Sequence, residues 1–218
     1  MKLKFFRETI MVIFCLVPLA YLASLYNQLP ATVPVHFGAD GEANGWGTKQ
    51  SLWLMPGLLP MGMYLLFLLL PAIDPKRKLR AEQGKYVRVR FALTVFMVLL
   101  TLFMLRTAQT GRLGGLDKWI FVLLGLFFAV LGNYLPALKP NYFIGVRTPW
   151  TLENEDVWRK THQFAGRLWM VGGLLIAALA LVFKASTELV MLPLILALAA
   201  VPVIYSYVVW RKTKTQVP

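Results

Sequence analysis

The sequence predicts an all-α integral membrane protein with six transmembrane helices, and its composition is the first reason. Of its 218 residues, 58% are hydrophobic and only 15% are charged, whereas an ordinary soluble domain carries roughly 25% charged residues. The other reasons are six long apolar stretches and an uneven distribution of positive charge between them. A disordered chain is excluded because such chains are poor in apolar residues. Cys15 is the only cysteine, which excludes a disulfide scaffold within the chain.

Each of the six apolar stretches is interpreted as one membrane-spanning helix, which needs about 20 mostly apolar residues. They cover residues 9–26, 50–73, 91–105, 119–138, 168–183 and 189–210. The third and fifth are short, but flanking arginine and lysine side chains can extend to the membrane interface. The first is interpreted as a retained helix, because no clear signal-peptide cleavage site follows it. We expect residues 1–218 to form a single membrane domain, in which Gly125 and Gly132 allow close helix packing.

The basic residues predict how the chain is oriented in the membrane. Eighteen of the 23 lysine and arginine residues lie near the two termini, between the second and third stretches, or between the fourth and fifth. Because cytoplasmic segments of membrane proteins are enriched in positive charge, both termini are predicted to be cytoplasmic. The net charge of +13 is then mainly a topology signal, with contact to anionic membrane lipids as a further use. Direct binding of nucleic acid is not expected.

Several function classes are disfavoured by what the sequence lacks. The six stretches contain no Asp, Glu, Lys, Arg or His in their interiors, and these residues usually mark ion pathways and proton relays. The H-E-x-x-H, G-x-S-x-G and phosphate-loop motifs are also absent. His36 and His162 fall on opposite sides of the predicted membrane, so they cannot share a metal ion. We therefore expect no enzymatic activity, no cofactor and no metal site.

The first long loop, residues 27–49, is predicted to be a turn-rich cap on the outer side of the membrane. Pro34 favours an extended course for its neighbours, and residues 33–37 can form a short strand-like stretch. Asp40–Gly41 and Asn44–Gly45 are dipeptides typical of tight turns. A compact loop on the outer side is therefore expected, with its aromatic side chains packed at the membrane interface.

Two questions about binding stay open in this loop. Asp40, Glu42 and Asn44 loosely match the start of a calcium-binding loop, but the twelfth position is Ser51, which offers no bidentate carboxylate. A structural turn is therefore favoured over a calcium site. His36 is either a ligand-binding residue or a hydrogen-bonding part of the loop.

The second long loop, residues 139–167, is predicted to end in an interfacial helix on the inner side. Thr148 or Thr151 can cap this helix, and Pro149 suits its first turn. Residues at near-helical spacing follow, namely Val157, Trp158, Thr161 and His162.

This predicted helix permits two interpretations. In the first, it is an amphipathic helix at the interface, anchored by Trp150 and Trp158, with its charges in water. In the second, it provides a docking surface for a cytoplasmic partner, or a lipid headgroup pocket built on Arg147.

The two loops resemble motifs of known bacterial membrane proteins. The segment LPATVPVHFGADGEANGWGTK is similar to an outward-facing motif shared by a broad group of them. The segment GNYLPALKPNYFIGVRTPWTLENEDVWRKTHQFAG resembles the signature segment of the SdpI family of toxin-immunity proteins. Its most telling pieces are Gly132–Asn133–Tyr134, Lys139–Pro140–Asn141–Tyr142, Gly145 to Thr151, and Trp158 to His162.

The resemblance implies a protein of the bacterial inner membrane that gives resistance to a secreted, membrane-active peptide toxin. In that family the founding member also signals, by retaining a transcriptional repressor at the membrane when toxin is present. A cytoplasmic repressor is therefore a second implied partner. The alternative is a lipid- or peptide-handling transporter, or an envelope-stress membrane protein.

The resemblance also implies two sets of candidate residues, one in each loop. The candidates for binding or sensing toxin are Pro34, His36, Phe37, Asp40, Trp46 and Lys49. The candidates for binding a cytoplasmic partner or a lipid headgroup are Asn133, Lys139, Asn141, Tyr142, Arg147, Trp150, Glu155, Trp158, Thr161 and His162.

Overall fold

The computed structural model of the protein describes residues 2–38, 42–74, 83–111, 117–182 and 187–214, with all their side chains except those of residues 2–4, 83, 117 and 187–189. In this part of the chain, six helical segments are long and apolar enough to cross a membrane. They cover Phe5–Gln28, Lys49–Ile73, Gly84–Thr110, Lys118–Ala137, Glu155–Val182 and Val190–Lys214. The prediction of a multi-pass membrane protein with six spans is therefore confirmed.

The described residues form eight α-helices, one π-helical segment and two β-strands. In chain order they are α1 (Lys2–Leu25), β1 (Thr32–Phe37), β2 (Ala43–Thr48), α2 (Leu54–Pro56), a π-helical segment (Gly57–Gly62), α3 (Met63–Ile73), α4 (Gln83–Thr110), α5 (Asp117–Tyr134), α6 (Pro149–Glu153), α7 (Glu155–Val182) and α8 (Thr187–Lys214). Short 3-10 turns at Tyr26–Gln28, Lys49–Trp53 and Leu135–Ala137 join neighbouring elements.

Proline explains why the second span is built from several pieces. Pro60 lies inside the π-helical segment, where its ring nitrogen has no hydrogen to donate to the preceding turn. A widened turn accommodates this loss, as is common in membrane helices that contain proline. The Pro60 carbonyl accepts a hydrogen bond from Cys15 Sγ at 3.6 Å, so α1 packs against the widened turn.

The chain separates into two compact units, residues 1–68 with 90–123 and residues 69–89 with 124–218. In the first unit, a buried apolar cluster joins the β1–β2 hairpin to the adjoining parts of α1 and α4. Its members are Leu22, Leu25, Leu29, Val33, Leu52, Leu105 and Ala108. The cluster holds the hairpin at the ends of these helices. The prediction of a single domain stays a prediction.

In the second unit, glycine lets α5 and α7 pack backbone to backbone. A Cβ atom added at Gly125 would lie 2.5 Å from the Gly173 carbonyl oxygen, and one added at Gly132 would lie 2.5 Å from the Met170 nitrogen. Neither position therefore has room for a side chain. Small residues that bring helix backbones together in this way are typical of membrane proteins.

Large apolar side chains cover the outer surfaces of the helices. Leu58, Val182 and Ile204 are 66%, 73% and 63% exposed. A soluble protein rarely leaves so much contiguous apolar surface in water, whereas lipid tails solvate it without cost. The spans are therefore suited to a lipid environment.

The prediction of an all-α fold requires one correction, at the first long loop. β1 and β2 form an antiparallel pair in which Thr32 lies opposite Thr48 and Phe37 opposite Ala43. The register is irregular on either side of His36, in a bulge that leaves Val35 of β1 and Asn44 of β2 without a directly opposite residue. The pairing was hard to predict because this bulge and the two glycines of β2 interrupt the simple alternation of a strand.

A second correction concerns the interfacial helix predicted before the fifth span. Residues Glu155–Val182 form one continuous helix, so the predicted helix and the fifth span are a single element. Gly166 is the only residue of low helix propensity near the predicted junction, and one glycine does not end a packed helix. Only α6, with five residues, stands apart from the span.

Candidate functional site

The hairpin is closed by backbone hydrogen bonds at both ends. The Lys49 N–H donates to the Ala31 carbonyl at 3.0 Å, and the Gly38 N–H donates to the Glu42 carbonyl at 2.8 Å. Asp40 lies outside the described residues. The ordered strands on both sides of the turn give the exposed side chains between them defined positions.

Two glycines on either side of Trp46 let β1 approach β2 closely. A Cβ atom at Gly45 would lie 2.8 Å from the Cβ of His36, and a Cβ atom at Gly47 would lie 3.0 Å from Val35 Cγ1. The Trp46 side chain is 60% exposed. The hairpin therefore displays one large aromatic side chain from a strand that otherwise carries small residues.

His36 is exposed and takes part in the architecture of the hairpin. Its Nδ1 forms a hydrogen bond with the Asn44 side-chain oxygen across the strands. Asn44 lies in β2 and its amide oxygen is already engaged, which disfavours the calcium-loop interpretation. The predicted hydrogen-bonding role of His36 is therefore present, and the binding of a ligand by its exposed ring stays a prediction.

The remaining outer candidates are less accessible. Pro34 is buried and Phe37 is half-buried. The Lys49 ammonium lies 4.8 Å from the centroid of the Tyr26 ring, which in turn packs against Trp53 at 5.3 Å. Of the predicted toxin-binding residues that are described, only His36 and Trp46 have exposed side chains.

In the inner segment, Asn141 organises the turn that leaves the fourth span. Its side-chain oxygen accepts hydrogen bonds from the N–H groups of Phe143 at 2.9 Å and Ile144 at 2.8 Å. Its amide group donates to the carbonyls of Lys139 at 3.0 Å and Ile144 at 3.2 Å. Because Asn141 is only 3% exposed, its side chain is part of the scaffold, and its predicted role in binding a partner stays a prediction.

His162 ties the same turn to α7. Its Nε2 accepts a hydrogen bond from the Val146 N–H at 3.1 Å, and its Nδ1 donates to the Trp158 carbonyl at 2.8 Å. The ring stacks on Trp158 with 3.9 Å between centroids. One nitrogen donates and the other accepts, so this arrangement requires the neutral imidazole. His162 is only 1% exposed and has no free nitrogen for a ligand.

Gly145 allows this packing because no other residue fits beside the imidazole. Its φ is +114°, a backbone conformation that side chains strongly disfavour. A Cβ atom there would overlap His162 Nε2. The inner segment therefore requires glycine at position 145, because a side chain there would collide with the His162 ring.

The start of the helical region is capped much as predicted. Thr148 and Thr151 form a reciprocal capping box, in which the Thr148 N–H donates to Thr151 Oγ1 at 2.8 Å and the Thr151 N–H donates to Thr148 Oγ1 at 3.3 Å. Pro149 occupies the first turn of α6. Asn154 then caps α7 by accepting from the Asp156 N–H at 2.9 Å.

The inner candidates separate into buried and exposed groups. The buried ones are Asn141, Trp158, Thr161 and His162. The exposed ones are Asn133, Lys139, Tyr142, Arg147 and Glu155, and Trp150 is partly exposed. The Trp158 indole donates to the Leu138 carbonyl at 2.8 Å inside the protein, so its predicted role as an interface anchor is wrong.

Sequence reasoning missed a partly buried ion pair in the first unit. Arg90 Nη2 lies 2.5 and 2.7 Å from the two carboxylate oxygens of Glu8, and the Tyr64 hydroxyl donates to the same carboxylate at 2.9 Å. Arg90 is only 4% exposed. The predicted charge-free stretches began at residues 9 and 91, so they left out Glu8 and Arg90, which the spans Phe5–Gln28 and Gly84–Thr110 include. Complementary charges next to two apolar stretches were the signal available for finding the pair.

Two family models match the chain in the regions just described. The SdpI/YfhL protein family matches residues 137–206, which include the inner segment, α6, α7 and much of α8. The model described as Domain of unknown function (DUF1648) matches residues 13–59, which include the hairpin.

Individual proteins are also similar to this chain. The protein named Immunity protein SdpI from Bacillus subtilis is 27% identical over 201 residues, which cover 90% of this chain and 93% of that protein. An uncharacterized protein from Archaeoglobus fulgidus is 36% identical over 44 residues, which cover 20% of this chain and 24% of that protein. No solved structure matches the chain. The family match at residues 137–206, together with the similarity along most of the chain, shows that this membrane protein is similar to members of the SdpI/YfhL family.

Proposed function

We propose that the chain is an immunity protein that protects a bacterial cell against a secreted, membrane-active peptide toxin. The observation that carries this proposal is the similarity to Immunity protein SdpI, which runs along 90% of this chain and 93% of that protein. Similarity along nearly the full length of both proteins supports a shared role better than one shared motif does. The same similarity favours immunity over lipid or peptide transport and over an envelope-stress role.

The proposed location is the inner membrane, with both termini in the cytoplasm. Eighteen of the 23 cations lie in the segments that this orientation leaves inside. The hairpin follows the first of six spans and α6 follows the fourth, so the two lie on opposite sides of the membrane if every span crosses it. The hairpin then faces outward, where a secreted toxin arrives.

The proposed toxin-binding surface is the exposed face of the hairpin around Trp46 and His36. Trp46 is 60% exposed and Val35 is 39% exposed, and exposed aromatic side chains on a rigid support are frequent anchors in binding sites. The buried cluster beneath the hairpin includes Val33 and Leu52. A membrane-active peptide must present apolar surface to enter a bilayer, and Trp46 offers a complementary apolar contact.

Survival of toxin-sensitive bacteria tests both the function and the surface. Cells that express the chain are compared with cells that carry an empty vector, over a panel of secreted membrane-active peptides. For a peptide that is blocked, we expect Trp46→Ala to reduce the protective ratio at least tenfold, and His36→Ala to reduce it less.

Trp119→Ala is the matched control, because Trp119 is also an exposed tryptophan, at 48%, but belongs to α5 and not to the hairpin. It is expected to protect as the unchanged protein does. Absence of protection from every peptide, with the protein in the membrane, would contradict the immunity proposal and favour the lipid or envelope-stress alternative. Full protection by Trp46→Ala and His36→Ala would contradict the hairpin surface alone.

A cytoplasmic repressor is proposed as a second partner, at the exposed part of the inner segment. Tyr142 is 41% exposed, and Arg147, whose guanidinium donates to the Tyr142 carbonyl at 2.5 Å, lies beside it. Glu155 is exposed at the start of α7. Capture of partners from membranes with and without toxin tests the proposal, and an identical set of partners under both conditions would contradict it.

A further inference from the structure

Three aromatic side chains gather where α6 packs against the C-terminal part of α8. Trp150 of α6 stacks on Trp210 with 5.6 Å between ring centroids and an angle of 29°. Tyr207 lies 5.4 Å from Trp150 and 5.7 Å from Trp210. These residues, Trp150, Tyr207 and Trp210, are called the C-terminal aromatic cluster below.

A buried hydrogen bond holds the cluster in a defined orientation. The Trp150 Nε1 donates to Ser206 Oγ at 2.8 Å, and Ser206 is completely buried. The Ser206 hydroxyl donates in turn to the Val203 carbonyl at 2.6 Å. The polar edge of Trp150 therefore points into the protein, while Tyr207 remains 42% exposed on the surface.

Positive charge follows the cluster within one turn of α8. Arg211, Lys212 and Lys214 are the basic residues of the last turn, and residues 205–214 include no acidic residue. The Lys214 ammonium lies 4.4 Å from the centroid of the Trp210 ring. A cation is thus held on an aromatic face at the end of a membrane-spanning helix.

We propose that the C-terminal aromatic cluster and these three cations bind the headgroup of an anionic phospholipid, such as phosphatidylglycerol. Tryptophan and tyrosine concentrate at the membrane interface, where their rings lie at headgroup level. The Lys214 ammonium lies over the Trp210 ring, so it shares the interfacial position that we propose for that ring. Basic residues at this depth attract anionic lipids. Lipid binding at this cluster does not depend on the proposed immunity function.

Two alternative roles of the same residues lead to different expectations. Aromatic clusters also bind the quaternary ammonium of choline, but Lys214 already occupies the Trp210 face, and two further cations would repel choline. Basic residues in a last helical turn also stabilise the helix dipole. That effect alone would not distinguish one lipid from another.

Native mass spectrometry of the full chain tests the proposal with equimolar phosphatidylglycerol and phosphatidylcholine as probes. The unchanged protein is expected to retain several times more phosphatidylglycerol. One cation near an anionic surface is worth about 1 kcal/mol, or roughly fivefold in affinity. The combined variant Arg211→Gln, Lys212→Gln, Lys214→Gln should therefore bind phosphatidylglycerol at least tenfold more weakly. Trp210→Leu keeps the charges and should cause a smaller loss of about twofold.

The matched control removes three exposed cations from another surface of the same unit, through Arg159→Gln, Lys160→Gln and Arg167→Gln. It is expected to keep most of the lipid preference. Equal binding of phosphatidylglycerol by the first triple variant and the unchanged protein would overturn the proposal, and so would a preference for phosphatidylcholine. Thermal unfolding in vesicles of each lipid adds a second readout. An equal loss of stability in both lipids, without loss of lipid preference, would assign the cations to the helix dipole alone.

Discussion

The hairpin and the inner segment use the same three residue types for different purposes. In the hairpin, Gly45 faces His36, and the neighbouring Trp46 is 60% exposed. In the inner segment, Gly145 faces His162, and Trp158 stacks on the imidazole with only 1% of its surface exposed. The first set displays side chains to the surroundings, and the second set fills the interior of a turn. The chemistry of a residue type is thus decided by its burial and its partners.

The tryptophans provide the largest test of this comparison. Trp158→Ala should lower the free energy of unfolding by about 4 kcal/mol, because it removes a buried ring and leaves a cavity. Trp46→Ala should change it by less than about 0.5 kcal/mol, as expected for an exposed side chain. Unfolding by sodium dodecyl sulfate in mixed micelles measures both values. Similar losses in the two variants would contradict the proposed division of roles.

The glycines provide the next test. Gly145→Ala should lower the free energy of unfolding by about 3 kcal/mol, because the positive φ strains the new residue and its Cβ overlaps the His162 ring. Gly45→Ala also brings a Cβ close to a histidine, but Gly45 has no positive φ that would strain the new residue, so we expect a smaller loss of about 1 kcal/mol. The same titration compares them. Gly84→Ala is the control, since a Cβ at Gly84 meets nothing within 4 Å, and it should be neutral or slightly stabilising.

The histidines provide the smallest and most specific test. His162→Ala leaves the Val146 N–H and the Trp158 carbonyl without this partner in a buried place, which costs about 2 kcal/mol. His36→Ala removes one exposed hydrogen bond and should cost less than about 1 kcal/mol. The free energy of unfolding again distinguishes the two variants. A larger cost for His36→Ala would show that the hairpin, and not the inner segment, depends on its histidine for stability.

The spans and the start of α6 were predictable because they depend on local sequence. A membrane helix satisfies its own backbone hydrogen bonds, so about 20 apolar residues are enough to predict one. The helix cap at Thr148 was also predictable, since the residues that form it lie three positions apart. The spans and the cap can therefore be predicted without knowing which residues pack against them.

The candidate site was predictable only as a set of segments. The sequence indicated both loops as segments that hold candidate residues. Trp158, however, was predicted to anchor a helix at the membrane interface and is buried in the protein. The ion pair between Glu8 and Arg90 joins residues 82 positions apart, and neither residue alone indicates the other. The bulge of the hairpin depends on which residues of β1 and β2 face each other. The residues of this ion pair and of the two strands come together only when the chain folds.

The sequence by itself determined that the protein is a membrane protein with six spans, that two loops are longer than simple connections require, and that a capped helix begins at Thr148 or Thr151. Hydropathy and capping act over a few neighbouring residues, so they can be recognised along the chain. Only the tertiary structure decided that Trp46 is displayed while Trp158 is enclosed, and that His162 uses both ring nitrogens within the protein. Burial depends on neighbours contributed by distant segments, and these neighbours come together only when the chain folds.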